Sequence, residues 1–294
     1  MVELSRRTAL ECMLWAGSGL MWTLDGGVPR TARAADAGFM FAQVSDCHLG
    51  FKGDPNTDTP ATFRRAITMV RATGPAFVLH TGDVSHLSKP EQLDMGAEIL
   101  KEVGAPTHVV PGEHDWIDNG AGYRERFGMP GTDRTWYAFD QEGVHFIGLN
   151  NVAGLGSSGL GRLGADQLDW LGRDLASRAA SQPIVIFAHI PLWSVYPEWG
   201  WATEETPQLL ALLKRFGSVT VLNGHIHQVL QKVEGHVSFH TALSTAFPQP
   251  APGSAPHPGP YHLEPGTLAG HLGVRRVSFV PGQSELATID TPLA

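Results

Sequence analysis

Five short blocks of carboxylates and histidines recur along the chain: Asp46-Cys47-His48, Gly82-Asp83, Gly112-Glu113-His114-Asp115, His189-Ile190-Pro191 and Gly224-His225-Ile226-His227. Carboxylates and neutral imidazoles together suit hard-to-borderline divalent metals and iron. In Asp46-x-His48 and His225-x-His227, an extended backbone puts the outer residues on one side and the middle residue on the other. Cys47 is thereby expected to face away from any metal, as a small buried apolar residue. The glycines ahead of Asp83, Glu113 and His225 permit tight turns that draw the side chains to one point.

Each block follows a segment that reads as a strand. Phe39–Ser45, Ala76–His80, Thr107–Val110, Ile184–Ala188 and Val219–Leu222 are short apolar runs. Helical spacing separates them over Thr59–Ala72, Lys89–Val103, Ala165–Ala180 and Glu204–Phe216. Such alternation predicts parallel pairing with crossover helices, and the C-terminal strand edge of an open α/β sheet is where sites are built. Thr135–Phe139 and Val144–Leu149 read as neighbouring strands joined by a turn at Asp140–Gly143. The tail from Val229 has strand-like runs without a convincing helix. Gly154–Gly164 is rich in Gly and Ser and Pro248–Pro260 in Pro, so both suit surface loops rather than domain linkers. One α/β domain with mixed sheets follows.

The five blocks, in this order and spacing, resemble the signature of calcineurin-like metallophosphoesterases. The resemblance runs from about Phe39 to His240. It implies a four-layer αββα sandwich of two mixed β-sheets flanked by helices. It also implies two metal ions and a bridging hydroxide that attacks a phosphate monoester or diester. By the same resemblance, Asp46, His48 and His227 bind the first metal, His189 and His225 the second, and Asp83 bridges them. His114 contacts the phosphate and protonates the leaving oxygen, and Asp115 orients His114, as carboxylates commonly hold imidazoles. Asn223 and His80 flank the blocks as candidate supporting partners.

The sequence departs from the family at Glu113, where an Asn usually ligates the second metal. With Asp46, Asp83 and Glu113 the shell gains a negative charge, and a ferric ion beside a divalent one restores positive charge for an anionic substrate. Glu113 is therefore expected to ligate the second metal, with iron paired to manganese or zinc. His86 stands three residues after Asp83, where purple acid phosphatases, distant relatives, place an iron-binding tyrosine. Its expected role is an exposed or supporting histidine, with approach to the first metal as the other reading. Trp193, Tyr196, Trp199 and Trp201 either wall a substrate pocket or pin a long loop. Gly154–Gly164, Leu192–Trp201 and Phe247–Tyr261 are the candidate walls.

Other hydrolase classes fit poorly. The chain has no His-Glu-x-x-His, no His-x-His-x-Asp-His and no Gly-x-Ser-x-Gly. A non-catalytic metal-binding or scaffold protein on the same fold is the competing reading, and His114-Asp115 argues against it. With 21 basic against 29 acidic residues, charge gives no reason to expect nucleic acid. A small phosphate ester is the expected partner.

The N-terminus reads as an export signal over residues 1–34, leaving 35–294 as the domain. Ser5-Arg6-Arg7-Thr8-Ala9-Leu10 resembles the twin-arginine motif, an apolar stretch follows, and Ala32-Arg33-Ala34 has a small-x-small cleavage pattern. Glu11, Gly17 and Gly19 interrupt the stretch, which is too poor for a membrane span of ~20 apolar residues. The expected destination is the periplasm or outside the cell. Cleavage removes Cys12 and leaves Cys47 without a disulfide partner.

Overall fold

A computed structural model describes residues 21–25, 28–32, 38–281 and 286–294. The export segment expected over 1–34 lies outside these residues except for an antiparallel hairpin, β1 (Met21–Asp25) and β2 (Val28–Ala32).

The domain begins with β3 (Phe39–Val44), α1 (Thr59–Ala72), β4 (Val78–His80), α2 (Pro90–Lys101), β5 (Thr107–Val109) and α3 (Ala121–Phe127). Then come β6 (Tyr137–Gln141), β7 (Val144–Gly148), α4 (Ala165–Ala176), β8 (Ile184–Ala188), α5 (Thr206–Leu213) and β9 (Val219–Asn223). The chain closes with β10 (Gln231–Glu234), β11 (Val237–Thr241), α6 (Leu268–His271), β12 (Gly273–Phe279) and β13 (Ala287–Pro292). One sheet has the order β13-β12-β3-β4-β5, the other β10-β11-β9-β8-β7-β6. Both are mixed: β3, β4 and β5 run parallel, as do β7, β8, β9 and β11, while β12, β13, β6 and β10 pair antiparallel.

The two sheets meet face to face on an aromatic core. Phe41 stacks on Phe77 at 5.0 Å, and Phe146 from the other sheet meets Phe41 edge-on at 5.3 Å. Helices cover the outer faces. In α1, Phe63, Ala66, Ile67 and Val70 recur at helical spacing and are buried against the first sheet, and Asp58 caps the helix by accepting from the Ala61 amide at 3.1 Å. Leu171 and Leu175 of α4 and Leu209 and Leu213 of α5 pack the second sheet. The result is the expected four-layer sandwich of helices, two mixed sheets and helices.

Some boundaries differ from the sequence reading. α5 starts later than Glu204 because the Glu204 amide is bonded to the Gly161 carbonyl of the Gly-rich loop at 2.9 Å, and Pro207 sits in the first turn. α4 stops at Ala176, where the Ser177 hydroxyl donates to the Asp174 carbonyl. The tail contains the short helix α6, which apolar periodicity did not reveal.

Candidate metal centre

The five blocks converge although they come from different sheets. Asp46 and His48 follow β3, Asp83 follows β4, and Glu113–Asp115 form a single 3-10 turn after β5. His189 follows β8, and His225 and His227 follow β9. The backbone there is not extended, contrary to the sequence reading. Asp46, His48, Asp83, His225 and His227 have φ of 53°, 39°, 55°, 69° and 55°. Left-handed residues reverse the chain at the strand ends and aim successive ligands inward; such conformations cost energy and cluster at functional sites. Cys47 nevertheless faces away, with its Sγ 3.2 Å from the Val84 carbonyl and 3.4 Å from His80 Nε2.

Two glycines make the approach possible. Gly82 has φ +96°, and a Cβ there would collide with the His189 ring. Gly112 is extended, but a Cβ on it would fall inside contact distance of Asp83 Oδ1 and the Asp83 amide. Here the glycine serves close approach rather than a turn.

Two donor groups result. Asp46, His48 and His227 form one, Glu113, His189 and His225 the other, with Asp83 between them. Asp83 Oδ2 lies 3.4 Å from His48 Nε2 and 3.3 Å from His189 Nε2. His227 Nε2 is 3.3 Å from Asp46 Oδ1 and 3.2 Å from His48 Nε2. The ring orientations are set from behind. His189 Nδ1 donates to the Thr81 carbonyl at 2.7 Å, and His227 Nδ1 to the Phe247 carbonyl at 2.6 Å. Each bond leaves Nε2 as a lone pair turned to the centre. Asp46 is fixed by the His225 amide, 3.1 and 3.2 Å from its two oxygens.

Among the described residues, Glu113 Oε2, His189 Nε2 and both ring nitrogens of His225 are buried without a hydrogen-bond partner, although His225 Nδ1 lies 3.0 Å from Glu113 Oε1. Glu113 Oε2 and His189 Nε2 stand 2.8 Å apart but misaligned for hydrogen bonding. Buried polar atoms are rarely left this way. A set of inward carboxylate oxygens and imidazole nitrogens is what a cation requires, so these residues fit a metal pair. The electrostatics agree. Burial acts to raise the Glu113 carboxyl, but His225 and His189 hold it well below the usual range. Burial acts to lower His189, but Asp83 and Glu113 pull it well above an ordinary histidine. The pocket favours positive charge.

Asp115 is placed differently from the sequence reading. It is fully buried and accepts from the Val84 amide, the Ser85 amide and hydroxyl, and the Gly112 amide at 2.7–3.1 Å. The acceptor for His114 Nδ1 is instead the His86 carbonyl, at 2.7 Å. Asp115 thus clamps the loops that carry Asp83 and Glu113. His86 reaches His48 through its ring, Nδ1 to Nδ1 at 3.3 Å, and stands close enough to His48 and His114 to share an ion with them. Asn223 pins the His189 loop by donating to the Ala188 and Ile190 carbonyls. His80 is buried, its pKa lowered by that burial to about 4, and its Nδ1 accepts from the Gly82 amide at 3.3 Å.

A cavity of about 350 Å³ opens over the centre. All three candidate walls reach it: Leu155 and Gly159, then Trp199 and Trp201, then Phe247, Gln249 and the 258–260 lip. Trp193 does not; it is buried against Phe239 in the second core. The carbonyls of Thr81, His86 and Phe247 escaped sequence reasoning, because every residue has one.

A family model of calcineurin-like phosphoesterases matches residues 39–229. A probable cyclic nucleotide phosphodiesterase of Synechococcus is 27% identical over 226 residues, 71% of this chain and 82% of its own. One of Rhodopseudomonas palustris is 24% identical over 260 residues, 82% and 92% of the two chains. A dimetal phosphatase of Danio rerio superposes with a TM-score of 0.60 at 17% identity, over 86% of this chain and 99% of that one. It shares the fold.

Proposed function

Because the chain belongs to the calcineurin-like phosphoesterase family, we propose that it hydrolyses small phosphate esters at the centre described above. The observation that carries this reading is the buried, unpartnered set of Glu113 Oε2, His189 Nε2 and the His225 nitrogens beside a cavity that opens on His114. Asp46, His48 and His227 would hold one metal ion, Glu113, His189 and His225 the other, and Asp83 would touch both. Bound metals would supply Lewis acidity to phosphoryl oxygens and lower the pKa of a water to about 7.

The chain's own groups supply the rest. His114 donates Nδ1–H to the His86 carbonyl, which leaves Nε2 for the leaving oxygen. Burial acts to lower its pKa, but Asp83 and Glu113 more than offset that, so the ring keeps its proton to higher pH than an ordinary histidine. Asp115 holds the two loops in register. The cavity walls orient the ester and exclude water.

Two relatives are described as probable cyclic nucleotide phosphodiesterases, so diesters are the first substrates to offer. The carboxylate Glu113 favours iron paired with manganese or zinc. Elemental analysis of the protein, followed by turnover of a chromogenic monoester and diester with defined metals, tests the reading. Metal-loaded protein that turns over neither ester is the outcome expected of a scaffold and overturns hydrolysis. Export to the periplasm or beyond is part of the same proposal, and a mature N-terminus at Ala35 is its expected signature.

A further inference from the structure

Part of the cavity lining is chemically unlike the ligand cluster. It consists of Leu155, Ile190, Trp199 and the Pro258-Gly259-Pro260 lip. Among the described residues, no lysine, arginine or hydroxyl side chain lines the cavity. Gln249 carries the one side-chain amide there, and both of its ends are tied to the protein. Its Nε2 donates to the His225 carbonyl at 2.7 Å, and its Oε1 accepts from the Gly259 amide at 3.2 Å. Gln249 thus ties the lip to the ligand loop, and these bonds fix its orientation.

Trp199 is partly exposed and rigidly held. It meets Trp201 edge-on at 5.0 Å and Tyr196 edge-on at 5.2 Å. Its loop is closed at the base by the Tyr196–Trp201 bridge, with the Val195 amide 2.9 Å from the Trp201 carbonyl. An indole fixed in this way presents a flat apolar surface without an ordering cost on binding.

We infer that this cavity selects phosphate esters whose organic group is uncharged and apolar, preferring an aromatic ring laid on Trp199. Esters with a second anionic group or a polyol arm are disfavoured. The inference rests on the cavity being the phosphate-ester site proposed above. Three physical effects favour it. Beyond His114, which the phosphoryl group engages, a second anion would meet no lysine or arginine in the cavity. Hydroxyls of a polyol laid against Leu155, Ile190, Trp199 and the proline lip would find no side-chain partner there and would carry their desolvation cost uncompensated. An aromatic ring loses no hydrogen bonds and gains stacking on the indole. The volume of about 350 Å³ is near the lower end for ligand pockets, and suits a phosphoryl group with one compact organic group.

The test uses the metal-loaded protein and four diesters that share a 4-nitrophenolate leaving group, and each kcat/KM is divided by that ester's own rate of hydrolysis in water, which removes the intrinsic effect of the second arm. The second arm is phenyl, ethyl, glyceryl or carboxyethyl. The expected kcat/KM for the phenyl ester exceeds that of the ethyl ester by about fivefold, and the carboxyethyl ester falls roughly tenfold below the ethyl ester. In Trp199→Ala the phenyl-to-ethyl ratio drops to about one, and in Trp199→Phe most of it is retained. Calorimetry of phenylphosphonate and ethylphosphonate reads the same preference without turnover. Equal rates for the four arms, or a phenyl preference unchanged in Trp199→Ala, overturns the inference while hydrolysis stands. If no ester turns over, yet phenylphosphonate binds more tightly in a Trp199-dependent way, hydrolysis falls and the pocket preference stands.

Discussion

His114 Nδ1 lies 2.7 Å from the carbonyl oxygen of His86, and the two imidazoles stack with centroids 4.9 Å apart. The acceptor belongs to the main chain, so it persists whatever side chain stands at position 86. Two substitutions should therefore separate. His114→Gln is expected to lower kcat by about 10²–10⁴, the usual worth of a positioned acid, with metal content unchanged. His86→Ala keeps the carbonyl and is expected to cost less than about tenfold in kcat. Equal losses would mean that the ring of His86, not its carbonyl, orients His114.

Metal and proton compete at His189. Burial opposes its charged form, but Asp83 and Glu113 raise its pKa well above the ordinary value, so the metal-free ring holds its proton to higher pH than an ordinary histidine. Ligation requires a neutral imidazole, and binding must release that proton. The release is full below the raised pKa and vanishes as pH rises through it. Calorimetric titration of chelator-treated protein in two buffers of different ionisation enthalpy measures the number released. Glu113→Asn removes one of the two anions that hold the proton. It is expected to reduce the release and to weaken the second ion by at least roughly tenfold. Unchanged proton release and unchanged metal affinity in that variant would place Glu113 outside the donor set.

The donor types were legible because ligation restricts them to a few side chains, and the glycines beside them mark close approach. Asp46, Asp83, His189 and the His225-x-His227 pair therefore stand out from sequence alone, and the structure brings them together. The backbone at these residues was not legible. Nothing in Asp-x-His distinguishes an extended run from one with left-handed ends, and tertiary contacts made the choice. Asp115 was misplaced for a related reason. A carboxylate next to a histidine in sequence suggests a pair, but the turn at Glu113–Asp115 sends the two side chains to different neighbours. The division of strands between the sheets was hidden too, since Val78–His80 and Ile184–Ala188 are apolar alike.

Asp115 should leave a signature in stability. Burial, with Asp83 adding to it, raises its pKa from 3.8 to about 6, against the opposing bonds from Ser85 and Gly112. A raised carboxyl keeps its proton in the folded state where the unfolded chain has lost it. Its stabilising contribution is complete below pH 3.8, declines as pH rises, and is lost above about 6. Two units correspond to ~3 kcal/mol. Asp115→Asn cannot ionise and lacks this slope, although it also gives up charged acceptors worth about 1–3 kcal/mol. Urea unfolding of chelator-treated wild type and variant between pH 4 and 7 is the measurement. The variant should gain on the wild type as pH rises. A difference independent of pH would remove the buried proton from the account.

His145, buried away from the centre, offers the opposite case, in which stability and chemistry separate. His145 stands at the start of β7 and pairs in register with Ile184, while His189 follows the far end of β8, so about five residues of strand, or roughly 17 Å, lie between their levels. Its ring is fully buried, with Nδ1 2.9 Å from Asp140 Oδ1 and Nε2 2.7 Å from Asp174 Oδ2. Arg178 joins both carboxylates, linking the β6–β7 hairpin to α4. Asp140 is 50% exposed and Asp174 17%, so solvent screens part of the gain, and removing a buried partner costs less than the full 3–5 kcal/mol. His145→Leu is expected to lower unfolding free energy by about 2–3 kcal/mol, chiefly by leaving Asp174 with only its longer contact to Arg178. Metal content and kcat/KM should stay within about twofold of wild type, because no donor residue contacts this network. Thermal unfolding paired with elemental analysis reads both sides. A variant with normal stability would show that the carboxylates find water or Arg178 at no cost. Lost metal would show instead that strain passes along β7 and β8 to the His189 loop.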